Sequence, residues 1–455
     1  MIERFPDILV SQPGLVAHQL TEAGLLQEAL QHWTRAGQMA LATSANQEAI
    51  TYFNKGLALV ARVPESEQRS RRELDIWLGL WPTYMATRGF STPEVEQAAL
   101  RARELCERLG DTKELALARL AMFVVRLVRA ELRQAREEVD AALVLAHEVN
   151  DPQLVALMNT LTGDVCFWQG KQEEARKHLS EALIPCDLSK AKAVTERTGL
   201  DAHCIGLSYE GFNEFVMGYG DRSRADIAEC LRDSQALGNA HTAGHCLGVA
   251  GFLAVVRRDV DDARQLAART IEYCREQRLM FWEASGYLTE GWVMIQDGLV
   301  QEGIRRIHQG IDIRRSAGAA LVHSTFYAVL AECHIQVNEP EAARDLITKG
   351  LDHVKSSGEG LSESELLRVR GELLAKLGDV NAARQSLENA IYVAQGRDAK
   401  FFELRASMSL GRLWQQQGKG KEAHRLLAPI YGWFTEGFDT KDLKEAKALL
   451  DALKS

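Results

Sequence analysis

The chain has 455 residues, 46% hydrophobic and 26% charged, with only 9 Pro and a formal net charge of −9. That balance suits an ordered, helix-rich, soluble chain and argues against nucleic-acid binding, as does the absence of any Lys/Arg run that could track phosphates. No apolar run approaches the roughly 20 residues that span a bilayer, and the first twenty residues hold neither a basic leader nor an apolar core, so a cytoplasmic protein without a secretion signal is expected. The eight cysteines are scattered without a CxxC pair, and they read as reduced core residues.

In chain order, the first element is a helical pair carrying Trp33, Ala36, Gly37, Ala40, Ala49, Phe53 and Gly56. This register of aromatic and small residues resembles the tetratricopeptide pattern. Pro64 and the polar stretch Glu65–Ser70 predict a linker, so residues 1–64 form one group of repeats and residues 65–183 the next. Small residues then recur at a stride of 40: Ala135 and Ala175, and later Ala263, Gly303, Ala343, Ala383 and Ala423. Twelve residues before each of the last five stands another, namely Gly251, Gly291, Ala331, Gly371 and Gly411.

Two phase-locked columns of small side chains predict two helices in close contact, repeated along the chain. Gly298, Asn338, Gly378 and Gly418 interrupt the helical period between the two columns, as turn residues do. The stride stretches between Ala175 and Ala225, and residues 184–200, with Pro185, Ser189 and Thr198, predict an insertion loop. Residues 201–428 hold the regular 40-residue units. Residues 429–455 bring Pro429, Tyr431, Trp433, Phe434 and Phe438 together before an amphipathic helix, as expected of a capping segment. The expected fold is an all-α, right-handed superhelical solenoid of tetratricopeptide-like hairpins.

Catalytic motifs do not emerge. GxxxxGK[ST], GxSxG, HExxH and GxGxxG are all missing, and Gly170-Lys171 and Gly418-Lys419-Gly420-Lys421 read as turns. His241 and His245 share a helix face at metal-pair spacing but lack a further ligand in sequence, so they read as structural and no metal or cofactor is expected. Carboxylate pairs such as Glu137-Glu138 and Asp261-Asp262 read as solvated or as helix-start charges. A non-enzymatic chain is expected.

The first helix of each hairpin lines the concave groove of such a solenoid. The column next to the small residues supplies Phe252, Trp292, Glu332, Glu372 and Arg412, with His245, Arg368 and Arg405 on adjacent turns. Aromatics at one end and mixed charges at the other suit a protein or peptide in that groove. The alternative is a small-molecule sensor whose pocket is lined by Phe252, Phe281, Trp282, Trp292 and the irregular region 184–220.

Residues 401–453, FFELRASMSLGRLWQQQGKGKEAHRLLAPIYGWFTEGFDTKDLKEAKALLDAL, resemble the C-terminal signature of a bacterial family. Its members join an adenylate/guanylate cyclase or other effector to a STAND-type ATPase and then to a long tetratricopeptide-like tail. Residues 3–59 and the run GFSTPEVEQAALRARELCERLGD, residues 89–111, resemble the same family beyond its ATPase module. The resemblance implies a sensor and scaffold tail, with the ATPase or cyclase module as a possible partner. A ligand on the tail would bias a closed, autoinhibited state toward an open one, given different affinities for the two. Neither the cyclase aspartates nor the ATPase phosphate loop has a counterpart here, so no catalytic residue carries over.

Overall fold

The computed structural model describes residues 12–43, 45–183 and 188–454. Among the described residues the chain is all helix and turn, a tetratricopeptide-like solenoid of 23 helices, most of them packed as successive hairpin pairs. Four successive pairs are Met280–Gln296 with Val300–Ser316, His323–Gln336 with Pro340–Ser357, Glu363–Lys376 with Val380–Gln395, and Lys400–Gln416 with Gly420–Tyr431. The turns inside these pairs use left-handed backbone, with φ of 85° at Gly298, 63° at Asn338 and 85° at Gly378, the conformation glycine and asparagine tolerate best. No described helix is long and apolar enough to cross a membrane.

The small columns lie where paired helices touch. A Cβ at Gly291 would stand 2.7 Å from the Gly303 carbonyl oxygen, and a Cβ at Gly371 would meet Leu387 at 2.6 Å and the Ala383 carbonyl at 3.2 Å. The helices therefore pack backbone against backbone, and larger side chains would push them apart. Ala383 is fully buried. We expect Ala383→Leu to overpack this contact by about 1–3 kcal/mol, measurable as a lower urea midpoint.

Two expected breaks in the helical pattern differ. Residues 188–198 form a helix, Leu188–Thr198, where the sequence predicts a loop; Ala191, Lys192, Ala193 and Glu196 are good helix formers that outweigh its polar character. Pro185, Cys186 and the rest of 184–187 lie outside the described residues, as do the side chain of Ser189 and the backbone of residues 1–11. The predicted linker Glu65–Ser70 is already helical from Glu67, because the Ser66 hydroxyl accepts a hydrogen bond from the Arg69 amide at 3.1 Å and caps Glu67–Arg88.

One superhelical turn closes on the next. The Ala320 and Leu321 amides donate to the Val128 carbonyl at 2.9 and 3.1 Å. One stride later, the Gly360 and Leu361 amides donate to the Trp168 carbonyl at 2.8 and 3.3 Å. In both cases the loop before a late helix satisfies a carbonyl at the C-terminal end of an early one, Thr112–Val128 or Pro152–Trp168. The seam continues where Phe215 stacks on Phe401 at 4.3 Å and Phe401 meets Phe434 at 5.0 Å. The C-terminal aromatics thus join two turns of the superhelix as well as covering the last repeat.

Candidate functional site

Closure of the seam encloses a cavity inside the superhelix, with an empty volume of about 860 Å3 including its mouth. Phe90, Phe123, Trp168, Phe252, Phe281, Trp282 and Phe326 contribute aromatic rings to its wall, with aliphatic side chains between them. Phe252 stacks on Trp168 at 6.0 Å and packs against Phe326 at 5.5 Å, so early and late repeats meet around the space. A second hollow of about 630 Å3 shares Phe90, His241, Phe281 and Trp282 with it and reaches Gly89 and the exposed Met280.

A few polar groups converge in this apolar wall. Burial pushes the Asp164 carboxyl up to about 8, against hydrogen bonding from Tyr209 and Trp168, and its Oδ1 has no partner. Burial also pushes His241 down to about 4 and His245 down to about 3, the latter helped by His241. His245 Nε2 meets the Ser208 hydroxyl at 3.2 Å, and the Trp282 indole donates to His241 Nε2 at 3.4 Å. Arg314 is 5% exposed, donates to the Ser285 hydroxyl at 3.0 Å and lies 4.1 Å from the centre of the Phe281 ring. Burial lowers it to about 10, with Tyr209 and Glu359 acting the other way. At neutral pH Arg314 is therefore the one full charge among the described lining residues.

Asp164 keeps its proton in the folded protein to about pH 8, while in the unfolded chain it ionises near pH 4. Its raised folded value makes its contribution to stability complete below about pH 4 and steadily smaller as pH rises toward 8. Asp164→Asn should accordingly gain in melting temperature over the wild type as pH is raised from 5 to 9. A difference that stays constant across this range would refute the assignment.

The residues expected in a single groove divide between two places. His245 and Phe252 line the interior cavity. Trp292, Glu332, Arg368 and Arg405 line a separate hollow of about 770 Å3 with Arg258 and Glu365. There the charges meet one another. Arg368 pairs with Glu365 at 3.1 Å, Glu372 at 2.8 Å and Glu332 at 3.3 Å. Arg405 is buried against Asp442 at 2.6 Å, and Arg412 reaches Glu445 at 3.4 Å from an exposed position. Phe281 and Trp282 stand on the interior wall, while Trp292 does not.

Asp164, Tyr209, Ser285 and Arg314 escaped the sequence reading. Asp164 carried a usable signal, since it is the sole charged residue of Pro152–Trp168. Arg314 carried none, because beside Arg315 at a helix end it reads as an ordinary dipole partner. His241 and His245, read from the sequence as structural, belong to no metal-ligand group among the described residues, and the neighbouring Cys246 packs with Cys204 and Cys230 in another cluster. A different group, His203, Glu229 and Asp233, brings three ligand atoms within 4.8 Å, two of these residues being exposed.

No family model matches this chain. It is 21% identical over 402 residues to a protein of Rhizobium meliloti (strain 1021) described as uncharacterized, which covers 88% of this chain and 39% of that protein. It is 26% identical over 141 residues to ETO1-like protein 2 of Arabidopsis thaliana, covering 31% of this chain and 14% of that one. The chain thus spans well under half the length of these relatives. Among solved structures, a Rap protein complexed with Competence and Sporulation Factor matches with a TM-score of 0.57 at 10% identity, over 82% of this chain and 99% of that one. This likeness concerns the fold. A STAND protein with a tetratricopeptide-repeat sensor from Pyrococcus horikoshii matches with a TM-score of 0.41 at 15% identity, over 84% of this chain and 55% of that one.

Proposed function

We propose that the chain is a non-enzymatic sensor and scaffold whose signal is a small molecule held inside the superhelix, and whose closure regulates an associated signalling ATPase or nucleotide cyclase. The observation that carries this reading is the enclosed aromatic cavity, in which Asp164 and Arg314 have unused hydrogen-bonding atoms. Its wall is built from both sides of the seam, so a molecule filling it touches early and late repeats at once. Such a ligand binds the closed form more tightly than an opened one, which is the requirement for shifting the balance between them. The link to an ATPase or cyclase rests on the sequence resemblance at residues 3–59 and 401–453.

Thermal-shift screening of a metabolite collection tests the sensor. Compounds that raise the wild-type melting temperature should leave Val249→Trp unmoved, since Val249 lines the cavity and a tryptophan fills it. Equal stabilisation of both proteins would place the ligand elsewhere.

A second reading puts a protein or peptide partner on the other hollow, lined by Trp292 and the half-exposed Glu332, with Glu372 paired to its Arg368. The Rap structure, which holds Competence and Sporulation Factor, is consistent with peptide binding on this type of solenoid. Charge reversal at Glu332, Glu372 and Arg412 should abolish capture of such a partner, and unchanged capture would rule out this face.

A further inference from the structure

The described residues contain four buried arginines, Arg257, Arg314, Arg368 and Arg405. Three face carboxylates: Arg257 meets Asp259 and Asp262, Arg368 meets three glutamates, and Arg405 meets Asp442 and Glu365. Arg314 differs. Among the described residues no carboxylate lies within ion-pair distance of it, its Nε is buried without an acceptor, and its one hydrogen bond goes to a neutral hydroxyl. Glu359 is the nearby acid that acts on it through space, but that carboxylate is engaged by the Val322 amide, the Ser324 hydroxyl and His353. A guanidinium taken out of water with so little in return is a costly thing to keep.

We infer that the interior cavity takes an apolar carboxylate, its acid group on Arg314 and its ring or alkyl chain among Trp168, Phe252, Phe281 and Trp282. This rests on the interior-ligand reading above and names the class of molecule. A carboxylate matches the planar fork of a guanidinium in geometry and charge. A phosphate dianion fits poorly, because no lysine or second charged arginine lines the space to balance it. A cation is disfavoured by Arg314 itself. The aromatic wall requires that most of the ligand be apolar.

Titration calorimetry at neutral pH with 4-phenylbutyrate, indole-3-propionate and decanoate tests the class, with 4-phenylbutyramide and 4-phenylbutylamine as matched neutral and cationic probes. At least one acid should bind the wild type, with the amide and amine weaker than 4-phenylbutyrate by roughly ten-fold or more, the worth of a charge-assisted hydrogen bond. Arg314→Met should erase the preference for acid over amide, while its ligand-free melting temperature stays level or rises, since an unpaired buried charge has been removed. Arg314→Lys, which keeps the charge without the fork, should retain the preference at lower affinity and so guards against misfolding of the first variant.

Amide binding as tight as acid binding in the wild type, both lost in Val249→Trp, would overturn the carboxylate assignment and leave the interior site standing. Acid binding that survives unchanged in Val249→Trp would overturn the interior site as well. No binding of any of the three acids at millimolar concentration would also overturn the carboxylate assignment, while ligands from the metabolite screen that act on wild type alone would still uphold the interior site.

Discussion

Asp442→Ala is expected to destabilise the protein by about 3–5 kcal/mol, the usual loss when one partner of a buried ion pair is removed. Asp442 is fully buried and accepts from Arg405 Nη2 at 2.6 Å, from Arg405 Nε at 3.0 Å and from Arg258 at 3.1 Å. Arg405 also donates to the Val256 carbonyl at 2.5 Å. The C-terminal helix Lys441–Leu453 is therefore tied through one carboxylate to the end of an early helix, Ala240–Val256. Without that carboxylate, Arg405 stays buried with the Val256 carbonyl and one acid, Glu365 at 3.4 Å, as its remaining partners. Replacing both partners, with Arg405→Met and Asp442→Leu together, should cost clearly less than Asp442→Ala alone, measured as urea midpoints. A double variant as unstable as the sum of its singles would show that the pair is not coupled. Burial alone would raise Asp442, but Arg405 and Arg258 hold its carboxyl below the usual range. Its contribution is thus present above about pH 4 and lost as pH falls through that lower value.

Gly360→Ala should open the seam. A Cβ there would stand 2.3 Å from the Gln169 carbonyl oxygen and 1.8 Å from Arg397 Nη1. The arginine can swing away, but the carbonyl belongs to the end of a helix and cannot. We expect a loss of about 1–3 kcal/mol, together with faster exchange of the Gly360-position and Leu361 amides that donate to Trp168. Gly396→Ala is the control, since nothing lies within 3.5 Å of a Cβ there and its φ of −67° suits alanine; it should be neutral or slightly stabilising. Equal behaviour of the two variants would mean that the seam does not depend on close backbone approach.

Local order was legible in the sequence and long-range closure was not. The columns through Gly291, Gly303, Gly371 and Ala383 announce helix pairs because steric contact between neighbours repeats with the chain. The seam joins residues nearly five strides apart through main-chain groups, which carry no side-chain signature. Arg405 shows the consequence. Its place on a turn adjacent to the column suggested a groove-facing charge, yet the C-terminal helix folds over it and supplies Asp442. The interior was half legible: Phe252, Phe281 and Trp282 stand out as aromatics in the first-helix register, while Arg314 comes from a second helix whose exposed neighbours hide its burial. The polar appearance of residues 184–200 suggested a loop because irregular length was read as irregular backbone, although the helix Leu188–Thr198 occupies most of it.

Backbone hydrogen exchange at Ala320, Leu321, Gly360 and Leu361 tests most directly whether the solenoid closes around an interior space. These four amides should be protected well beyond that of an exposed inter-helix residue such as Glu65, and protection should rise further when an acid occupies the cavity. Exchange at the rate of an open loop, unchanged by any ligand that stabilises the protein, would mean that the turns do not meet and that the cavity is not the seat of sensing.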